Sequence, residues 1–154
     1  DQVLAGGPVT VTTSDMTRFL ISLDDAVDTI FAAVTSADPG CLVIPQIPAA
    51  RIVDVAQAMI GDRKIPITFT GIRPGEKIHE VLVSEEEGYR TTTDGDYYII
   101  HPDLPELWTR QGTTINREYA SNQCVLSRHD VAALLAKSNV LSETPTMVGG
   151  EMLA

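Results

Sequence analysis

Two short segments of this 154-residue chain carry side chains able to hold an anion. Met16-Thr17-Arg18-Phe19 sets one arginine just ahead of a capped helix, and Gly71-Ile72-Arg73-Pro74-Gly75-Glu76-Lys77 sets another after a strand. Arginine presents a planar fork of donors that matches the oxygens of a phosphate or diphosphate. Gly75 lets the backbone come close to a ligand, and Glu76, three residues after Arg73, offers two acceptor oxygens to a ribose diol. A short helix opening at Glu76 or Lys77, carrying Ile78, Val81 and Leu82, would add free N–H groups and a positive dipole end. Taken singly, each feature is ordinary: an arginine ahead of a helix is usually solvated or in a structural ion pair.

Other constellations argue against chemistry on this chain. His79, His101 and His129 are widely spaced, with no C-x-x-C or H-x-x-x-H pattern, so no metal site is expected. His79 reads as structural or oriented near a ligand. Cys41 and Cys124 each lie beside apolar residues and read as reduced, buried thiols, and Cys124 has no basic neighbour or helix start to activate it. There is no serine nucleophile elbow. No glycine-rich turn of the G-x-x-G-x-x-G kind follows a strand, so a dinucleotide phosphate loop is missing. No tyrosine has a lysine four residues later: after Tyr89, Tyr97, Tyr98 and Tyr119 stand Thr93, His101, Pro102 and Gln123. No catalytic residue and no bound cofactor are therefore expected on the chain itself.

The elements that must position the two arginines are read from periodicity and caps. Gly6-Gly7-Pro8 is a turn, Val9–Thr12 a β-rich run, and Phe19-Leu20-Ile21 a further short strand. Ser22 caps a helix, with Asp25 as the capping-box acid and Leu23, Ala26, Val27, Ile30, Phe31 and Val34 on its apolar side. Cys41–Ile44 reads as a buried strand suited to a parallel sheet. A second helix is expected from about Ala50 to Ile60, with Ile52, Val55, Ala56, Met59 and Ile60 inward and Gly61 as its stop. Ile65, Ile67 and Phe69 alternate as a half-buried strand. Ser84 followed by Glu85-Glu86-Glu87 is a solvated first turn, and Asp94-Gly95 a hairpin turn ahead of Tyr97–Ile100. Tyr97, Tyr98 and Trp108 read as packing residues. His101–Arg117 reads as a long loop, Ser127 caps a last helix with Val131, Leu134 and Leu135 inward, and 141–154 as a flexible tail. The order of elements is α/β, with about four helices, but the strands are too few and short for a free-standing sheet and more often complete one begun elsewhere.

Composition bounds the partners. The apolar and charged fractions, 44% and 21%, are those of a globular protein of the soluble class. The formal net charge of −10 disfavours nucleic acid and anionic membranes. No apolar run is long enough to span a bilayer, and no signal-peptide pattern opens the chain, so a cytoplasmic location is expected.

The segments Val9-Thr10-Val11-Thr12, Asp15-Met16-Thr17-Arg18-Phe19 and Ser22-Leu23-Asp24-Asp25-Ala26-Val27, then Pro39-Gly40, Pro48-Ala49-Ala50 and above all Arg73-Pro74-Gly75-Glu76-Lys77-Ile78-His79-Glu80, resemble a known family. It is the polysaccharide-biosynthesis branch of the extended short-chain dehydrogenase/reductases, the UDP-N-acetylglucosamine 4,6-dehydratases and their 5-epimerising relatives. The resemblance runs from about Gly6 to Leu135, faintly through Asp94–Tyr98 and Glu118–Asn122. It implies that residues 1–140 form the C-terminal, UDP-sugar-binding portion of such an enzyme, including late strands of a Rossmann sheet near Cys41–Ile44, without the N-terminal NADP-binding half. It further implies that Arg18 and Arg73 bind the UDP pyrophosphate, Glu76 the ribose, and the strand with Thr10 and Val11 the uracil. The complete enzyme would use NADP on UDP-N-acetylglucosamine or a related UDP-sugar and form a homo-oligomer. The alternative is a non-catalytic sugar-nucleotide-binding or oligomerisation module of the same fold.

Overall fold

The computed structural model describes residues 1–104, 106 and 113–138. Trp108, part of the loop expected at 101–117 and the tail expected at 141–154 lie outside them. The elements are β1 (Val9–Val11), β2 (Thr17–Phe19), α1 (Leu23–Ser36), β3 (Leu42–Pro45), β4 (Ala49–Arg51), α2 (Ile52–Ile60), β5 (Ile67–Phe69), β6 (Val81–Val83), α3 (Glu85–Gly88), β7 (Thr91–Asp94), β8 (Tyr97–Ile100), β9 (Tyr119–Ala120) and α4 (Arg128–Lys137).

Three helices begin where a serine can satisfy an N–H that the first turn leaves unpaired. Ser22, Ser84 and Ser127 accept from the backbone of Asp25, Glu87 and Asp130, and Ser84 with Glu87 completes a capping box. Helix α2 ends at Gly61, whose positive φ of 59° suits glycine. Its start differs from expectation, because Ala49–Arg51 pairs as a strand with β2 before the helix begins at Ile52.

The strands form four small sheets among the described residues: β1–β5 parallel, and β2–β4, β3–β8–β7 and β6–β9 antiparallel. The expected strand at Phe19–Ile21 lies earlier, at Thr17–Phe19, and Leu20 N–H leaves it to donate to Pro48 O. The run Cys41–Ile44 does not enter a parallel sheet. It is an antiparallel edge strand on β8, pairing Leu42 with Ile100 and Ile44 with Tyr98, and Leu42 stays exposed. The parallel pair is made instead by Val9–Val11 and Ile67–Phe69. The helix expected over Ile78, Val81 and Leu82 is absent: 77–80 is irregular and Val81–Val83 is a strand on β9.

Three separate apolar clusters hold these pieces. Val9 and Val11 pack with Ala56 and Ile60 of α2, while Val83, Tyr98, Ile100 and Tyr119 form a second centre. Ala50, Val131 and Leu135 form a third, which joins α2 to α4. Tyr119 lies 5.0 Å, ring to ring, from both Phe19 and Tyr98, and its hydroxyl donates to Ile47 O at 2.7 Å and accepts from Ile47 N–H at 3.0 Å. Helix α1 lies against β3 with its half-buried Ala26, Thr29, Ala32 and Ala33, so its large apolar side chains face solvent rather than a core. No helix among the described residues is long and apolar enough to cross a membrane.

Candidate functional site

The carboxyl ends of two parallel strands lie together where β1 and β5 pair Val9 with Ile67 and Val11 with Phe69. The ladder runs on past both ends, with Thr70 N–H donating to Val11 O at 2.9 Å and Gly71 N–H to Thr12 O at 3.0 Å. From this end the chain departs as the loop 71–80. Within it, Glu76 N–H donates to Arg73 O at 3.0 Å while Arg73 N–H donates to Glu76 Oε2 at 3.0 Å. Pro74 ahead of Gly75, with φ of 87° at Gly75, gives this doubly closed turn its type II character. The Arg73 side chain stands exposed at the turn and makes no hydrogen bond or ion pair with the described residues.

Arg18 reaches the other end of the same loop from β2. Its Nη1 donates to Thr17 O at 2.7 Å and to Ile78 O at 3.2 Å, its Nη2 to Lys77 O at 2.9 Å, and its Nε lies 3.4 Å from Glu80 Oε1. Of the five N–H donors on a guanidinium, three are hydrogen-bonded to carbonyls, Nε–H makes only the ion pair, and the second N–H of Nη2 has no acceptor among the described residues. Arg18 and Arg73 thus meet on one loop, but no bond joins them. Glu76 keeps Oε1 clear of the turn. Val11 is buried against α2, and exposed Thr10 is covered along its edge by Gln2, whose side chain accepts from Thr10 N–H at 3.0 Å and donates to Thr10 Oγ1 at 2.9 Å. Because 77–80 is not helical, no helix dipole or run of free N–H groups contributes here.

Three polar arrangements were not foreseen from the sequence. The first is a buried chain in which Thr17 Oγ1 lies 2.8 Å from His79 Nδ1 and 2.6 Å from Ser121 Oγ. The second is Asp54, 1% exposed, gripped by Arg51 Nε at 2.7 Å and Arg128 Nε at 3.5 Å, which ties the start of α2 to that of α4. The third is Cys41 Sγ, 3.6 Å from His101 Nδ1, with His101 Nε2 at 2.8 Å from Thr92 Oγ1. Burial, with the Asp38 carboxylate beside it, pushes the Cys41 thiol up, and burial pushes the His101 imidazole down. That pair rests as neutral thiol and neutral imidazole, the opposite of an activated thiolate. Both cysteines are half-buried rather than fully buried. An open hollow of about 840 Å³ lies between the β2–α1 junction and the end of α4, lined by Phe19, Leu23, Pro48 and Leu134 among others, and none of Arg18, Arg73, Glu76, Thr10 or Val11 borders it.

A family model described as polysaccharide biosynthesis protein matches residues 1–102, which include all five of those residues. The chain belongs to that family. Among its relatives, it is 40% identical over 109 residues to a UDP-glucose 4-epimerase of Rickettsia massiliae, a match covering 70% of this chain and 32% of that protein. It is 36% identical over 94 residues to a UDP-N-acetylglucosamine 4,6-dehydratase (inverting) of Campylobacter jejuni, covering 61% of this chain and 28% of that one. The chain therefore spans about a third of the length of these relatives. The solved structure of Pen from Bacillus thuringiensis matches it with a TM-score of 0.80 at 26% identity, over 91% of this chain and 44% of the other. That match bears out the mixed α/β fold with short strands, and by its extent it includes much of the region beyond the family model.

Proposed function

We propose that this chain is the UDP-sugar-binding portion of an NADP-dependent dehydratase or epimerase of surface-polysaccharide biosynthesis, acting with an N-terminal cofactor-binding half. The observation that carries this reading is the Arg73 turn, an uncommitted guanidinium held rigidly beyond the carboxyl ends of two parallel strands. Ligands of open α/β sheets bind at such ends. Arg73 supplies the fork for a diphosphate, and Arg18 adds the second N–H of its Nη2 from the other end of the loop. Glu76 Oε1 accepts from the ribose, and the exposed face of Thr10 borders the base.

The helix starts among the described residues do not offer a nicotinamide cofactor the cradle it needs. A dinucleotide pyrophosphate needs a helix start approached through glycines, with its N–H groups open. Among the described residues α1, α3 and α4 start behind serines whose oxygens already hold one of those N–H groups. The start of α2 is reached through Ala49-Ala50-Arg51 with no glycine, and Arg51 is already committed to Asp54. The work proposed for this chain is therefore to bind and orient the sugar nucleotide, and the activities of its relatives are the source of the chemistry proposed for the whole.

Calorimetric titration of UDP into the protein at its full natural length tests this. Arg73→Ala should weaken binding by roughly 1.5–3 kcal/mol, the usual worth of a hydrogen bond to a charged group. Arg73→Lys should recover only part, keeping the charge but losing the fork. Affinity for NADP should stay as it is. Unchanged UDP affinity in Arg73→Ala would end the assignment.

A further inference from the structure

The loop that carries Arg73 is fastened from behind by polar side chains that solvent does not reach. Thr17 and Ser121 are 3% and 0% exposed, and they come from positions 104 apart. Ser121 Oγ accepts from Glu80 N–H at 2.9 Å, and Ser121 N–H donates to Glu80 O at 2.8 Å. Thr17 N–H donates to Ile78 O at 3.0 Å, and Thr17 Oγ1 meets His79 Nδ1 between these two anchors. Three consecutive loop residues are therefore each held by this pair. Arg18 closes the same patch, since its Nη1 shares the Thr17 carbonyl that Ser121 Oγ approaches at 3.3 Å.

The hydroxyls can be ordered in two ways that leave no member unpaired. In one, Ser121 donates to Thr17 Oγ1 and Thr17 donates to His79 Nδ1, which is then the acceptor. In the other, His79 Nδ1–H donates to Thr17 Oγ1, Thr17 donates to Ser121 Oγ, and Ser121 donates to the Thr17 carbonyl. Only a hydroxyl, at once donor and acceptor, can serve in both orders. The fastening therefore serves either tautomer of His79.

We infer that Thr17, Ser121 and His79 are positioning residues for sugar-nucleotide binding: they hold 78–80 under the Arg18 guanidinium and so fix the turn from which Arg73 projects. The inference rests on the reading of that turn as the diphosphate site. Loss of a hydroxyl leaves Glu80 N–H or His79 Nδ1 facing a buried site without its partner, and the loop must open to hydrate it.

The test separates hydroxyl from volume. In the protein at its full natural length, Thr17→Val keeps the volume and removes the hydroxyl, whereas Thr17→Ser keeps the hydroxyl and loses a methyl. UDP affinity by calorimetry and Tm are read for both, with Ser121→Ala beside them. Thr17→Ser should bind within threefold of wild type, even where its Tm falls. Thr17→Val and Ser121→Ala should each lose tenfold or more. His79→Asn, which returns an amide near Nδ1, against His79→Ala provides the same contrast should the valine variant fail to fold: asparagine should bind, alanine should not. Affinity that follows Tm across the set, or wild-type affinity in Thr17→Val or His79→Ala, would overturn the inference while leaving the site reading intact. Wild-type protein that binds no UDP would remove both.

Discussion

Helix α1 exposes most of its large apolar side chains: Leu23 is 87% exposed, Ile30 63%, Phe31 64% and Val34 79%, with Val27 at 49% beside them. Full burial of a side chain of this size is worth about 1.5–3 kcal/mol, so covering the remaining surface of this stripe would contribute roughly 5–10 kcal/mol at most. A self-paired stripe covers two copies and doubles that gain to roughly 10–20 kcal/mol at most, against about 4–15 kcal/mol for ordering two bodies, so the stripe supports weak, concentration-dependent self-association. A tethered partner domain largely avoids that cost, and relatives three times as long have chain enough for one. The perturbation is Phe31→Lys with Val34→Lys, near the carboxyl end of α1, where the last turn has no basic residue and lysine suits the dipole. The two lysines move the net charge of −10 toward neutrality, so charge repulsion cannot explain a loss of association. Sedimentation velocity from 5 to 200 μM is the assay. The parent chain should show a concentration-dependent coefficient, and the double variant should sediment as a monomer with an equal or higher Tm. In a longer chain carrying such a domain, the same pair should lower Tm. A parent that stays monomeric throughout, with a sharp two-state melt, would refute the claim that this face is built to be covered.

Two further outcomes follow from buried polar groups. Burial pushes the Tyr119 hydroxyl up to about 12 from its ordinary 10; because the folded value is the higher, its contribution to stability is complete below about pH 10 and fades as pH rises through about 12. Denaturant titrations should show that loss in wild type and not in Tyr119→Phe, which should already cost about 1–3 kcal/mol because Ile47 N–H and C=O lose their partner. At Asp54, Arg51→Ala should destabilise more than Arg128→Ala, since its contact is the closer, 2.7 against 3.5 Å. With both arginines over half exposed, roughly 1–3 kcal/mol is expected in urea melts rather than the full value of a buried pair.

What was legible in the sequence was local. Ser22 with Asp25, Ser127 with Asp130, Gly61 and Asp94-Gly95 each decide an element end within four residues, and each stands where expected. What was misread was decided at a distance. Ile78, Val81 and Leu82 have helical spacing, yet 77–80 is held out of a helix by Thr17, Arg18 and Ser121, some 40 to 60 positions away. The run Cys41–Ile44 is apolar in either kind of sheet, and only the hairpin that supplies β8 makes it antiparallel. Periodicity shows that α1 is two-sided, but not that its alanines rather than its large residues meet β3. Asp54 drew no expectation from the sequence, where the one visible hint is Arg51 three residues before it.

In the proposed diphosphate site the two arginines would divide the work unequally, and the division follows from what each can give up. An anion drawing the whole fork of Arg18 would have to displace three carbonyls and Glu80, opening the loop that Arg18 closes. Arg73 has no bonded partner among the described residues to displace, and its backbone is already fixed through Glu76 and Gly75. On a chain of net charge −10 an anion is repelled until close range. A site there gains most from one uncommitted guanidinium on a rigid turn, because little order is left to create when the ligand arrives. The carbonyl-bound arginine behind it then acts chiefly by keeping that turn rigid. The hydroxyl chain at Thr17 and Ser121 extends the same support one layer deeper.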